Sequence, residues 1–251
     1  MSFTNANSNG IIAFLLLFFC IINIRESNNI LRIMNIYNTL FLIAALFIAT
    51  SRAAMLAFVV VIFIYLIVKK LHKYIFSFIA SIIIASQAFI FIYTKAKNTS
   101  LGTVLNDITV KYTGKNLFSG RERIWGEAID DVVHSNRIWT GVGNNTQYDG
   151  FNGYLHNLYV QLFYQSGFIG VLLISALILA IAFIAMKVKT HKIDHNFKIL
   201  FAYFVGILVL QIFEGHLIYK FEIITMLCWI IIALFVNKIL MLNLNNESTI
   251  S

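Results

Sequence analysis

Proline is absent from the whole chain, and charge is scarce: only 12% of the 251 residues are Asp, Glu, Lys or Arg. Soluble domains carry about 25% charged residues, so a soluble globular domain is excluded. Without proline, breaks in the chain have to be sought at glycine and polar residues. The two cysteines, Cys20 and Cys228, both lie inside apolar runs and lack metal-ligand spacing. They offer neither a disulfide framework nor a zinc site, and read as small lipid- or core-facing residues. No HExxH, CxxC or DxD-like pattern occurs, and no nucleophile elbow. Neither a metal nor a cofactor is therefore expected. No internal repeat or low-complexity tract is present beyond the hydrophobic bias.

What the chain does have is apolar mass, with 59% hydrophobic residues and a mean hydropathy of +0.81. The bilayer is the natural solvent for such a composition. Long apolar runs without alternation favour helices over a barrel, so the expected fold is an all-α polytopic membrane protein. A formal charge of +8 would point to nucleic acid in a soluble protein. Here it is assigned to lysines anchoring cytoplasmic loops beside anionic membrane lipid, and no nucleic-acid partner is expected. The abundance of Ile, Phe, Asn and Lys resembles that of a chain from an AT-rich bacterial genome.

A crossing helix needs about 20 apolar residues, and about seven candidates can be read. They are Gly10–Ile24, Ile33–Thr50, Ala53–Val68, Tyr74–Tyr93, a segment ending at Met186, Ile199–Phe213 and Ile223–Val236. The uncharged stretch Gly150–Met186 is too long for one crossing, and Gln165-Ser166-Gly167 offers a break. It divides into an interfacial helix over His156–Gln165 and a fifth crossing over Gly167–Met186. The chain thus reads as one membrane domain over residues 1–251. Four crossings occupy 10–93, a large loop with amphipathic and interfacial helices 94–166, three crossings 167–240 and a tail 241–251.

Lysine and arginine bias sets the orientation. Arg25, Arg32, Lys69, Lys70, Lys73, Lys187, Lys189, Lys192, Lys198 and Lys238 all fall on one side if every span crosses. That side is expected to be cytoplasmic, which makes the large loop and Arg52 extracytoplasmic in a bacterial inner membrane. Lys95 and Lys97 lie against this trend. The orientation also places Met1 outside the cell, so a chain lacking earlier helices is expected as readily as a complete one.

Three polar positions carry the chemical interest. Arg52 sits in Thr50-Ser51-Arg52-Ala53-Ala54, between two apolar helices with almost no loop. It reads either as a snorkelling anchor or as a phosphate ligand, since its planar fork of donors stays charged. In the loop, Ser119-Gly120-Arg121-Glu122 fits a capping box, and Ile124, Trp125, Ala128, Ile129, Val132 and Val133 form one apolar face. Arg121 then lies in the first helical turn, where amides also favour an anion, or else joins Arg123 on a solvated face. His156, where the loop returns to the membrane, reads as a structural histidine or as a general base or hydrogen-bond donor. His216 and Glu214 have the same ambiguity. The Gly-x-Gly of Gly141-Val142-Gly143 marks a turn and does not make a nucleotide site.

Taken in order, these segments resemble the O-antigen polymerase/ligase family. The resemblance rests on Phe3-Thr4-Asn5-Ala6-Asn7-Ser8-Asn9-Gly10, Ser51-Arg52, Arg121-Glu122-Arg123-Ile124-Trp125, Gly141-Val142-Gly143, and His156-Asn157-Leu158-Tyr159 followed by Gly167 and Gly170. It covers about residues 3 to 185. Family members carry several more helices ahead of this region.

The resemblance implies transfer of a glycan from an undecaprenyl diphosphate carrier to an acceptor sugar hydroxyl. The acceptor is another lipid-linked glycan in a polymerase and lipid A-core in a ligase. By the same resemblance Arg52 and Arg121 bind the diphosphate, and His156 deprotonates or orients the acceptor hydroxyl. Arg123, Asn157 and Tyr159 join as substrate-binding residues, and the apolar helices hold the polyprenyl tail. Two other readings compete: a transporter or flippase-like export component, and an inactive fragment of the enzyme. A transporter would place polar residues within several spans, at the midplane, and this sequence has almost none.

Overall fold

The computed structural model describes residues 6–25, 28–97, 99–114, 116–118, 120–143, 155–218 and 222–247. Every regular element among them is helical. In chain order these are α1 (Ala6–Ile22), α2 (Asn29–Ile48), α3 (Arg52–Leu71), α4 (Ile75–Ala96), α5 (Ser100–Thr113), α6 (Arg121–His134), α7 (Leu158–Met186), α8 (His195–Phe213) and α9 (Ile223–Glu247).

Five stretches are long and apolar enough to cross a membrane: Asn29–Ile48, Arg52–Ala96, Leu158–Met186, His195–Phe213 and Ile223–Leu244. The second is 45 residues long, more than twice the roughly 20 that one crossing needs. A 3₁₀ turn at His72–Tyr74 divides it into α3 and α4, beside the lysine cluster of Lys69, Lys70 and Lys73. The apolar α1 is shorter, with 17 residues.

The chain forms two compact units, Met1–Phe76 with Ile181–Ser251, and Ser77–Ala180. In the first, α8 is the core. It is apolar on all sides, as a helix buried on all sides must be, and nearly all its side chains from Phe197 to Gln211 are buried. Gly206 lets α3 and α1 close on it, since a Cβ there would lie 2.6 Å from the Val61 side chain and 3.2 Å from the Phe14 ring. The Tyr203 ring stacks on Phe14 at 5.2 Å, and Phe235 of α9 packs on Phe204, also at 5.2 Å. By contrast α2 exposes Ile30, Ile33, Leu40, Phe41 and Ile48, an apolar face suited to lipid.

Polar bonds fix the far ends of α8 and α3. Asp194 caps α8, its Oδ1 accepting from the Phe197 amide at 2.8 Å, while its Oδ2 takes Lys238 Nζ at 2.6 Å. Tyr65, near the end of α3, lies 2.9 Å from His195 Nδ1 at the start of α8. With Gly206 against Ala57 and Val61, α3 and α8 are therefore antiparallel, and Arg52 lies at the same end as Phe213.

The second unit holds most of α4, with α5, α6 and most of α7. Helix α5 was not expected from the sequence, whose only amphipathic reading in the loop was α6. Its β-branched residues and Gly102 weaken the helical signal. Its ends were nevertheless written in the chain: Thr99 Oγ1 accepts from the Gly102 amide at 3.1 Å, and Gly114 stops the helix at φ 65°. In α7 the expected break is present. Gly167 has φ 60° and ψ −159°, so the helix divides there into two segments.

Candidate functional site

The second unit builds its polar site on α6. The expected capping box falls partly outside the described residues. Ser119 lies outside the described residues, and Gly120, at φ 87°, occupies the N-cap without a side-chain bond. Glycine reaches this left-handed conformation readily, which starts the helix one residue later than expected. Glu122 turns inward instead, its side chain only 2% exposed, and its Oε1 accepts from Lys97 Nζ at 2.9 Å. That bond gives Lys97, which runs against the charge bias, a partner within the unit.

One turn beyond Arg121 on the same face stands Trp125, which is 1% exposed. Its ring packs against Tyr93 at 5.3 Å. Its indole N–H donates to the Leu155 carbonyl at 2.6 Å. The Leu155 amide in turn donates to Gln161 Oε1 at 3.1 Å. On the other side of His156, Asn157 Oδ1 caps α7, accepting from the Tyr159 and Val160 amides at 2.9 and 3.0 Å. His156 is thus held between two fixed neighbours, half-exposed, with φ 49°. Positive φ is uncommon outside glycine and is stored where surrounding contacts enforce it, often at functional sites.

The structure therefore brings the Arg121 helix and His156 into one local assembly. Arg121 is half-buried there. Arg123 is exposed and faces Glu127 of its own helix at 3.9 Å. Asn157 serves as a helix cap. Tyr159 is buried and lines a cavity of about 320 Å³ between α4, α6 and α7, together with Gln87, Phe91, Lys95, Asp130 and Phe163.

The Gly-x-Gly has a packing role. The Val142 amide donates to the Tyr164 carbonyl at 2.8 Å and the Gly143 amide to that of Gln165 at 3.1 Å. In return, Phe168 and Ile169 donate to the carbonyls of Ile138 and Trp139, at 2.8 and 3.3 Å. The loop so satisfies the backbone groups that the break at Gly167 releases, which would be costly if left unmet in an apolar setting. A Cβ on Gly141 would meet the Gln165 backbone at 2.4 Å, and one on Gly167 the Trp139 backbone at 2.3 Å.

Arg52 belongs to the first unit. It opens α3 as an exposed residue after Ser51, which is fully buried, and Thr50, which has φ 50°. A β-branched residue at positive φ is an outlier, so this junction too is strained. The close approach of α1 enforces it, because a Cβ on Gly10 would lie 2.6 Å from Ser51 Cβ. One turn earlier on α1, the Asn7 side chain donates through Nδ2 to Glu214 Oε1 at 3.0 Å. Beyond it, His216 Nε2 lies 3.8 Å from Glu214 Oε2, and its Nδ1 3.8 Å from Glu222 Oε2. Among the described residues, no group of three His, Cys, Asp or Glu is arranged to hold a metal ion.

Residues 37–175, over half the chain, match a family model described as O-antigen ligase. No curated protein and no solved structure matches the chain.

Proposed function

Since the chain belongs to the O-antigen ligase family, we propose that it transfers a glycan from undecaprenyl diphosphate to an acceptor sugar hydroxyl at the extracytoplasmic face of the inner membrane. The observation that carries this reading is the family match across 37–175, which includes Arg52, Arg121 and His156. The held, left-handed backbone of His156 and the strained junction before Arg52 support the choice of residues.

In the reaction the acceptor oxygen bonds to the anomeric carbon while the bond from that carbon to the diphosphate oxygen breaks. The acceptor proton passes to His156, and both electrons of the broken bond leave with the diphosphate. Arg52 and Arg121 stabilise the charge that develops on it, a role suited to fixed guanidinium groups. Arg123 sits at the edge of this site and reaches outlying parts of the glycan. Asn157 and Tyr159 act through the shape of the α7 start. An acceptor of lipid A-core makes the protein a ligase, and a second lipid-linked glycan makes it a polymerase.

The test is transfer by the purified full chain in liposomes with lipid-linked glycan extracted from its host. A longer or core-linked glycan, together with released undecaprenyl diphosphate, is the expected product. Movement of the intact lipid-linked glycan across the bilayer without any bond transfer would replace this reading with that of a flippase.

A further inference from the structure

Helix α5, in the second unit, leaves an apolar face exposed. Leu101, Val104, Leu105, Ile108 and Tyr112 recur at the three- and four-residue spacing that puts side chains on one side of a helix. Their exposure runs from 49% at Ile108 to 78% at Tyr112. Gly102 is buried and Asn106 and Thr109 are half-buried, so a different side of the helix faces the protein. Val110, 40% exposed, lies off the apolar face.

The place of this helix follows from its bonds. It begins at Ser100, just after α4 ends at Ala96. A Cβ on Gly102 would run into the Ala96 carbonyl, so the chain turns sharply between the two helices. Had α5 continued the axis of α4, Asn106 would stand roughly 20 Å beyond Tyr93, at about 1.5 Å per residue. Instead Leu117 bonds to both. Its amide donates to Asn106 Oδ1 at 2.9 Å, and its carbonyl accepts from the Tyr93 hydroxyl at 3.2 Å. The middle of α5 is therefore held beside the last turns of α4, where a stretch long and apolar enough to cross a membrane ends. Asp107 and Lys111, both exposed, would be costly inside the hydrocarbon core. An apolar face edged by charge, held at the end of a span, suits the boundary between headgroups and acyl chains. Tyr112 fits the same level, where tyrosine is enriched.

We propose that α5 lies in the plane of the membrane, with Leu101, Val104, Leu105, Ile108 and Tyr112 inserted into the leaflet where α4 ends. Its partner is the lipid surface itself. This goes beyond the transferase reading and holds for whichever leaflet that is. The helix then sets the level of the segment that follows it. The Tyr93 ring lies against Phe118 at 5.5 Å and against Trp125 of α6 at 5.3 Å. Through these contacts the membrane surface fixes the depth of α6.

The test places a nitroxide spin label on single cysteines of the full chain, in a Cys20→Ala and Cys228→Ala background, in liposomes at low protein density. Leu105→Cys and Ile108→Cys put the label on the apolar face, and Thr103→Cys puts it on an exposed side away from that face. Oxygen concentrates among acyl chains, and a nickel chelate stays in water. Labels at 105 and 108 should collide mainly with oxygen, at a depth of about 5–10 Å into the boundary. The label at 103 should collide mainly with the chelate. All three positions are exposed, so the substitutions remove no packing, and 105 and 108 report independently. A label at 105 or 108 as open to the chelate as the one at 103 would leave α5 in water and overturn the proposal. Labels closed to both reagents would overturn it as well, because protein, a second copy or another partner, would then cover the face. A preference for oxygen at 103 too would mean that the helix is immersed, and not in the plane of the surface.

Discussion

The indole of Trp125 donates to the carbonyl of Leu155 at 2.6 Å, and this bond ties the helix carrying Arg121 to the residue before His156. Trp125→Phe keeps the ring but removes the donor, leaving a buried carbonyl unmet. The expected cost is about 1–3 kcal/mol in stability. Transfer should fall by up to about 10²-fold, as a displaced reacting group allows. Melting of the detergent-purified protein and its transfer rate, measured together, check this. A stable variant with an unchanged rate would show that the bond does not position His156.

His156→Ala should reduce transfer by about 10²–10⁴-fold, the usual share of a general base. Membrane insertion and protein level should stay normal, because Asn157 and Trp125 hold the segment without the imidazole. His156→Gly relaxes the positive φ and should restore none of the activity. Near-normal transfer by either variant would remove the base from the scheme.

Arg52→Lys separates an anchor from a ligand. A lysine keeps the charge and the reach to the interface but not the two-pronged donor geometry. Loss of most transfer at normal protein level is expected. Rates close to those of the unaltered protein would make Arg52 an interface anchor.

Gly141→Ala and Gly167→Ala each place a Cβ within 2.6 Å of backbone at positive φ, so each should destabilise the protein by about 3 kcal/mol or more. Gly126→Ala, where nothing lies within 4 Å, is the matched control and should be tolerated. The check is the amount of folded protein recovered from membranes. Equal recovery of all three would mean that the loop does not dock on the α7 break.

Orientation is tested with single cysteines in a background of Cys20→Ala and Cys228→Ala. Thr113→Cys and Asn145→Cys should react with a membrane-impermeant thiol reagent in cells with a permeabilised outer barrier. Lys70→Cys and Lys192→Cys should react only after lysis. The opposite pattern would put Arg121 and His156 on the cytoplasmic side.

Much of the fold is legible in the sequence because hydropathy is local. A run such as Ile199–Phe213 is apolar whatever its neighbours are, and α8 begins only four residues earlier. The break at Gly167 is legible for the same reason, as polar Gln165 and Ser166 precede a glycine inside an apolar stretch. The residue types proposed for the reaction are picked out in the sequence too, since Arg52, Arg121 and His156 are rare charged or titratable groups beside apolar helices. Contacts between distant segments are what the sequence could not supply. Glu122 fits a capping box by spacing alone, and only packing brings Lys97 to it. The two glycines at 141 and 143 mark a turn. That the turn satisfies carbonyls of Tyr164 and Gln165 depends on where α7 breaks in space. Asn7 and Glu214 are 207 positions apart, and no periodicity links them. Burial decided their pairing, because a carboxylate taken out of water must find a donor wherever the fold provides one.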